Sequence, residues 1–99
     1  MPKGGGGLSF TRVKRIYETS KGSLLLETVE AYDSREIWLT FFDYDGRERL
    51  RVSWGPDALE QPDFEVRRQA LTRLTHKGFA AGEAERLADR IGADVRLQR

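Results

Sequence analysis

Residues 37–54 read IWLTFFDYDGRERLRVSW, and this stretch decides the fold. Aromatic and β-branched residues, which favour strands, stand on both sides of Asp45-Gly46. Asp-Gly suits a two-residue type I′ turn, because both central residues of that turn need positive φ. The stretch therefore predicts an antiparallel hairpin in which Tyr44 pairs with Arg47 and the remaining pairs follow in order.

This register divides the side chains of the hairpin between two faces, because neighbours along a strand point to opposite sides. One face is apolar throughout, as expected of a core face; it carries Ile37, Leu39, Phe41, Leu50, Val52 and Trp54. The opposite face combines aromatic and basic side chains; it carries Trp38, Thr40, Phe42, Tyr44, Arg47, Arg49, Arg51 and Ser53. This aromatic and basic face is the most informative functional feature of the sequence.

Residues 8–32 predict an earlier hairpin with a three-residue loop, Ser20-Lys21-Gly22, in which glycine takes the left-handed position. That register sets apolar residues opposite apolar ones and opposite charges opposite each other. The pairs are Phe10–Tyr32, Arg12–Glu30, Val13–Val29, Arg15–Glu27 and Ile16–Leu26. A Lys21-Gly22 loop fits less well, because it sets Lys14 against Val29.

The second half of the chain predicts two helices. Pro56 ends the sheet, because proline cannot continue a strand ladder. Helical spacing of apolar residues predicts one helix over residues 62–77, ended by Gly78, and a second over residues 81–91, stopped by Gly92. Residues 93–99 are expected to form a short edge strand or a frayed tail.

These elements predict an α+β fold. It consists of a four-stranded antiparallel β-meander with two C-terminal α-helices packed on one face, which makes two layers. The predicted strands are residues 8–19, 23–32, 36–45 and 47–54. We interpret residues 1–7, which contain four consecutive glycines, as a flexible arm, and residues 8–99 as a single domain.

Composition excludes several classes of function. The 99 residues contain no cysteine, which excludes disulfide scaffolds, zinc-thiolate sites and thiol catalysis. The single histidine, His76, has no histidine partner for a metal site and falls in the last turn of a predicted helix, where it suits the helix dipole. We therefore expect no enzymatic activity, no metal and no cofactor.

Charge and hydropathy set the expected partners. The net charge of +1 lacks the basic excess on which strong non-specific nucleic-acid binding depends, so any such site must be local. No apolar run is long enough to span a membrane, and we expect no membrane partner. The absence of cysteine agrees with a reducing compartment, and we expect a cytoplasmic location.

The predicted binding residues lie on the aromatic and basic face. They are Trp38, Phe42, Tyr44, Arg47, Arg49 and Arg51. In the first interpretation the face binds a protein partner or a second copy in a homodimer, with the aromatic side chains as anchors and the arginines as a rim. The alternative is single-stranded DNA or RNA, with bases stacked on the rings. A third interpretation is a solvated face with no ligand.

Two further groups of residues bear on this choice. If the first hairpin shares the parity of the second, then Arg12, Lys14 and Tyr32 join the same face and add to its basic and aromatic character. Glu18 and Glu30 would join it as well, and their negative charge weighs against nucleic acid.

Overall fold

The described residues form four strands and two helices. The strands are β1 (Ser9–Thr19), β2 (Gly22–Ala31), β3 (Ser34–Asp43) and β4 (Glu48–Trp54), and the helices are α1 (Asp63–His76) and α2 (Ala81–Arg96). The strands form one antiparallel sheet in the order β1-β2-β3-β4. The predicted α+β fold class, with a four-stranded antiparallel meander followed by two helices, is confirmed.

The structure, a computed structural model, describes residues 9–31, 34–55 and 63–97. The arm predicted at residues 1–7 lies outside the described residues, and so does Tyr32, which was predicted to join the aromatic and basic face. The division of the chain into an arm and a single domain stays a prediction.

The core lies between one face of the sheet and both helices. Its strand residues come from both hairpins; they are Tyr17, Leu24, Leu26, Ile37, Leu39, Phe41, Val52 and Trp54. Leu50, the remaining member of the predicted apolar set, is partly buried and packs against this core. The helical and inter-helical residues are Val66, Ala70, Leu74, Phe79, Ala84, Leu87, Ala88, Ile91 and Val95. Burying one such large apolar side chain stabilises the fold by about 1.5–3 kcal/mol. The prediction that both helices cover this face is confirmed.

Side-chain hydrogen bonds show which strands each helix covers. The indole Nε1 of Trp54 donates to Oε1 of Gln69, which joins β4 to α1. The phenol of Tyr17 donates to a carboxylate oxygen of Asp94, which joins β1 to α2. Thus α1 packs over the β4 side of the sheet and α2 over the β1 side, and neither helix of the described residues covers the other face of the sheet.

The second hairpin keeps its predicted register from the Ile37–Trp54 pair to the Phe41–Leu50 pair. Next to the turn the prediction is wrong. There Phe42 pairs with Glu48 instead of Arg49, so that β4 contains one extra residue, a β-bulge. The cause lies in the turn itself.

The turn between β3 and β4 is a three-residue loop, Tyr44-Asp45-Gly46, rather than the predicted type I′ turn. Only Gly46, at φ 81, has the left-handed backbone that both central residues of a type I′ turn require. Oδ1 of Asp43 accepts the backbone N–H groups of Asp45 and Arg47, each at 2.9 Å. This carboxylate stabilises the longer loop, as aspartate commonly does at the first position of a turn.

The first hairpin also differs from its prediction. Thr19 pairs with Gly22 around a two-residue loop, Ser20-Lys21. Gly22 has φ 144, and a Cβ at this position would lie 2.1 Å from the carbonyl oxygen of Phe42. Glycine is therefore required both by the close approach of β3 and by a positive φ that other residues rarely adopt.

Strand β1 contains a bulge of its own. Thr11 pairs with Val29 and Val13 pairs with Thr28, which leaves Arg12 as the extra residue. The sheet therefore has one bulge in each of its two edge strands.

Helix α2 runs to Arg96, so the predictions that Gly92 stops it and that an edge strand or frayed tail follows are wrong for residues 93–96. A glycine inside a helix costs about 1 kcal/mol relative to alanine. The extra turn buries Val95, which is 1% exposed and contributes about 1.5 kcal/mol or more. Burial outweighs the cost of the glycine, and the same turn supplies Asp94 to Tyr17.

Candidate interaction surface

The sheet face opposite both helices, called here the open face, consists of three rows of side chains that cross the four strands. The middle row is Ile16, Leu25, Thr40 and Arg51. The tryptophan row on one side is Lys14, Glu27, Trp38 and Ser53. The phenylalanine row on the other side is Glu18, Ser23, Phe42 and Glu48.

Trp38 is held in place on the open face by two contacts. Its indole Nε1 donates to Oε1 of Glu36 at 2.7 Å. The guanidinium carbon of Arg51 lies 4.8 Å from the ring centroid, a cation–π contact. The ring is half-buried, and the side chain of Arg51 partly covers one face of it.

Both arginines of β4 that were predicted to bind a ligand are paired with carboxylates. Arg51 Nη2 lies 2.7 Å from Oε1 of Glu48, and Arg49 Nε lies 2.6 Å from Oδ2 of Asp43. The N–H of Arg47 and the guanidinium of Arg49 hold the pKa of the Asp43 carboxyl below its ordinary value. Asp43 therefore stays ionised and retains its arginine.

Tyr44 and Arg47 lie in the turn rather than in the rows of the open face. The phenol of Tyr44 donates to the carbonyl oxygen of Thr19 at 3.0 Å, and its side chain is 75% exposed. Arg47 is exposed, and its backbone N–H donates to Asp43. Of the six predicted residues, the structure brings together Trp38, Phe42 and Arg51 on the open face. Arg49 borders it at the bulge.

The first hairpin adds apolar residues that the sequence prediction did not assign to this face. Ile16 is 63% exposed, and Leu25, its cross-strand neighbour, is half-buried. Val29 lies beyond the tryptophan row and is also half-buried. The signal was present in Leu24-Leu25-Leu26, because three successive apolar residues in a strand must place at least one on each face.

Charged residues lie at the β1 edge of the open face. Lys14 is the cross-strand neighbour of Glu27, and Glu18 stands one row beyond Ile16 on the other side. The expectation that Lys14 and Glu18 share this face is confirmed. Glu30 instead has the parity of the core face, where its Oε1 accepts Arg35 Nε at 3.0 Å. The side chain of Arg12 lies outside the described part of the structure.

A cleft of about 240 Å³ opens at the other edge of the molecule, between β4 and α1. Arg68, Arg73 and Thr72 line it from the helix. Arg68 is paired with Glu65 at 2.7 Å, and the amide of Gln69 is engaged by Trp54. Two of the polar side chains that line the cleft, those of Arg68 and Gln69, therefore already have partners.

The described residues contain no cluster of three or more histidine, cysteine, aspartate or glutamate side chains arranged to hold a metal ion. His76 is exposed at the end of α1. Within the same residues, neither helix is both long enough and apolar enough to cross a bilayer.

Comparison with known proteins gives no family assignment, since no family model, curated protein or solved structure matches the chain.

Proposed function

We propose that this chain acts by binding a protein surface, that of another protein or of a second copy, through its open face. The observation that supports this most directly is Ile16, which is 63% exposed beside the half-buried Leu25. Trp38 and Phe42 continue the apolar area across the sheet. Aromatic and aliphatic side chains grouped at the centre of a surface, with charges at its edges, are typical of protein interfaces.

The pairing of the arginines favours protein over single-stranded nucleic acid. Nucleic-acid binding needs cations that are free to neutralise phosphates and rings that are free to stack on bases. Arg51 covers Trp38 and is paired with Glu48, and Arg49 is paired with Asp43. A phosphate would have to displace these carboxylates, whereas an apolar protein surface could leave both pairs in place.

Site-specific photo-crosslinking in the native cells tests this proposal. Benzoylphenylalanine would be introduced at position 16, on the open face, and at position 72, on the exposed surface of α1, as the control. We expect protein adducts from position 16 and not from position 72. The adduct partner, or a second copy, should then bind the purified chain in calorimetry, and Ile16→Asp should weaken that binding at least about tenfold.

Two results would contradict the proposal. In the first, position 16 gives no protein adduct above the level seen at position 72. In the second, a fluorescent single-stranded oligonucleotide binds the purified chain and Arg51→Glu abolishes that binding, which would assign the face to nucleic acid. A cytoplasmic location and action without catalysis or a cofactor are part of the same proposal.

A further inference from the structure

The three rows of the open face are related by a simple symmetry. Consider a two-fold axis that lies above the face and runs across the strands along the middle row. A half-turn about this axis brings a second copy face to face with the first. The middle row then meets itself, and the tryptophan row of each copy meets the phenylalanine row of the other.

Two of the contacts made under this operation are complementary, whereas Arg51 in the middle row meets Arg51 of the other copy, a like charge that opposes association. Trp38 of one copy lies opposite Phe42 of the other, an aromatic pair that the symmetry produces twice, with the Arg51 guanidinium at the Trp38 ring. Lys14 faces Glu18 of the other copy, which pairs opposite charges, also twice. Ile16 meets its own counterpart in the middle row, so the most exposed apolar residue of the face becomes covered by an identical one.

A two-fold axis parallel to the strands is less favourable. This axis sets β1 against β4 of the other copy. Glu18 then faces Glu48, and Lys14 faces the uncharged Ser53. Of these two axes, the one across the strands pairs Lys14 with Glu18 and Trp38 with Phe42.

The size of the face determines the strength of association that can be expected. Four strands about 4.8 Å apart, with side chains described over roughly 20 Å of length, give roughly 400 Å² in plan. Stable interfaces bury about 800 Å² of accessible surface on each partner. Side-chain relief increases the accessible area above the area in plan, so the face fits a weak dimer that forms at high protein concentration.

We infer that the partner of the open face is a second copy of this chain, bound about a two-fold axis that runs across the strands through Ile16, Leu25, Thr40 and Arg51. This inference rests on the proposed function and adds to it the identity of the partner. The dimer closes on itself, because the same face is used by both copies and none is left for a third.

A charge exchange between two variants tests both the dimer and its axis. Lys14→Glu places Glu against Glu18 at both symmetric contacts, and Glu18→Lys places Lys against Lys14 in the same way. Each variant alone should dimerise about tenfold more weakly than the natural chain, or worse, because symmetry applies the repulsion twice. An equimolar mixture should regain dimers, since a copy with two glutamates then faces a copy with two lysines.

Sedimentation equilibrium from micromolar to millimolar protein would measure the dimers. Lys77→Glu and Glu85→Lys, which exchange charges on the exposed surfaces of the helical layer, serve as matched controls and should leave the dimer unchanged. Lys14→Glu also adds a like charge beside Glu27 within one sheet. That effect persists in the mixture and cannot produce the recovery.

Each result has one meaning. Recovery of dimers in the mixture supports the two-fold arrangement. A natural chain that stays monomeric at the highest concentration, or a mixture that does not recover, overturns the inference. Adducts from position 16 to a different protein would then retain the proposed function without self-association, and the absence of any such adduct would remove both.

Discussion

At the scale of single residues, Gly22 shows how closely two neighbouring strands can approach where a side chain is absent. Its backbone lies so close to β3 that a side chain has no room, as the distance of 2.1 Å from a built Cβ to the carbonyl oxygen of Phe42 shows. Gly46 has a left-handed backbone as well, at φ 81, but nothing lies within 4 Å of the corresponding position. A comparison of substitutions at the two glycines therefore separates the free energy cost of steric crowding from the cost of a positive φ.

We expect Gly22→Ala to lower the free energy of unfolding by about 3 kcal/mol or more, because strand β3 must move as well as the backbone φ. Gly46→Ala should lower the free energy of unfolding by about 1–2 kcal/mol, which is the cost of a left-handed backbone conformation alone. Urea denaturation followed by circular dichroism would measure both. Equal losses in the two variants would show that the contact with Phe42 contributes nothing.

At the scale of elements, α2 is tied to β1 through its last turn. Tyr17 is 2% exposed, its phenol donates to Asp94, and the guanidinium carbon of Arg90 lies 5.2 Å from its ring centroid. Burial, reinforced by the hydrogen bond to the Asp94 carboxylate, raises the pKa of Tyr17 far above its ordinary value of 10.0. The folded chain therefore binds this proton more tightly than the unfolded chain does.

We expect Tyr17→Phe to lower the free energy of unfolding at neutral pH by about 1–2 kcal/mol, since a buried donor is lost. The sign of the pKa difference adds a second expectation. Stability from the neutral phenol is complete below pH 10.0 and is lost as the pH rises above it, so the natural chain should lose more stability than Tyr17→Phe in alkali.

Urea titrations at neutral and alkaline pH would measure this difference. Tyr44→Phe is the matched control, because the Tyr44 phenol also donates a hydrogen bond but its side chain is 75% exposed. It should change the free energy of unfolding by no more than about 0.5 kcal/mol. A parallel loss of stability in alkali for the natural chain and Tyr17→Phe would contradict the proposed role of the phenol.

The elements also show what the sequence could and could not predict. Residues alternate along β3 and β4 so that one face of the hairpin is apolar and the other is mixed. This contrast between the faces predicted the register from Ile37–Trp54 to Phe41–Leu50 correctly. The first hairpin offered no such contrast, because Leu24-Leu25-Leu26 is apolar on both faces. The pattern alone therefore could not choose between a three-residue loop and the two-residue Ser20-Lys21 loop that the structure has.

The sequence predicted only some of the residues that share the open face. Trp38 and Arg51 were placed together correctly because they lie in the part of the hairpin with the predicted register. Phe42 was assigned to the same face correctly because alternation along β3 places it there whatever its partner in β4. Leu25 was missed because it belongs to the other hairpin. The ion pairs of β4 depend on the bulge and turn, which no alternation pattern specifies.

At the scale of the whole molecule, a net charge of +1 and arginines paired with carboxylates make strong electrostatic association unfavourable. We expect the dissociation constant of the dimer to rise less than about tenfold between about 0.05 and 0.5 M salt, because only two exposed ion pairs are screened. Binding through many phosphates would weaken by several orders of magnitude over such a range. Sedimentation equilibrium at the two salt concentrations would measure the change, and a steep dependence would contradict the apolar basis of the contact.

The bulges of the two outer strands have a consequence for how copies of this chain can accumulate. β1 and β4 are the edges of the sheet, and each contains one extra residue, Arg12 in β1 and Arg49 in β4. A regular edge offers an unbroken row of backbone donors and acceptors to which further strands can add without limit, as in amyloid fibres. In this sheet a bulge interrupts the row at each of the two edges, and the extra residue of each bulge is an arginine, which adds a positive charge. These interruptions therefore oppose the addition of further copies strand by strand at either edge of the sheet.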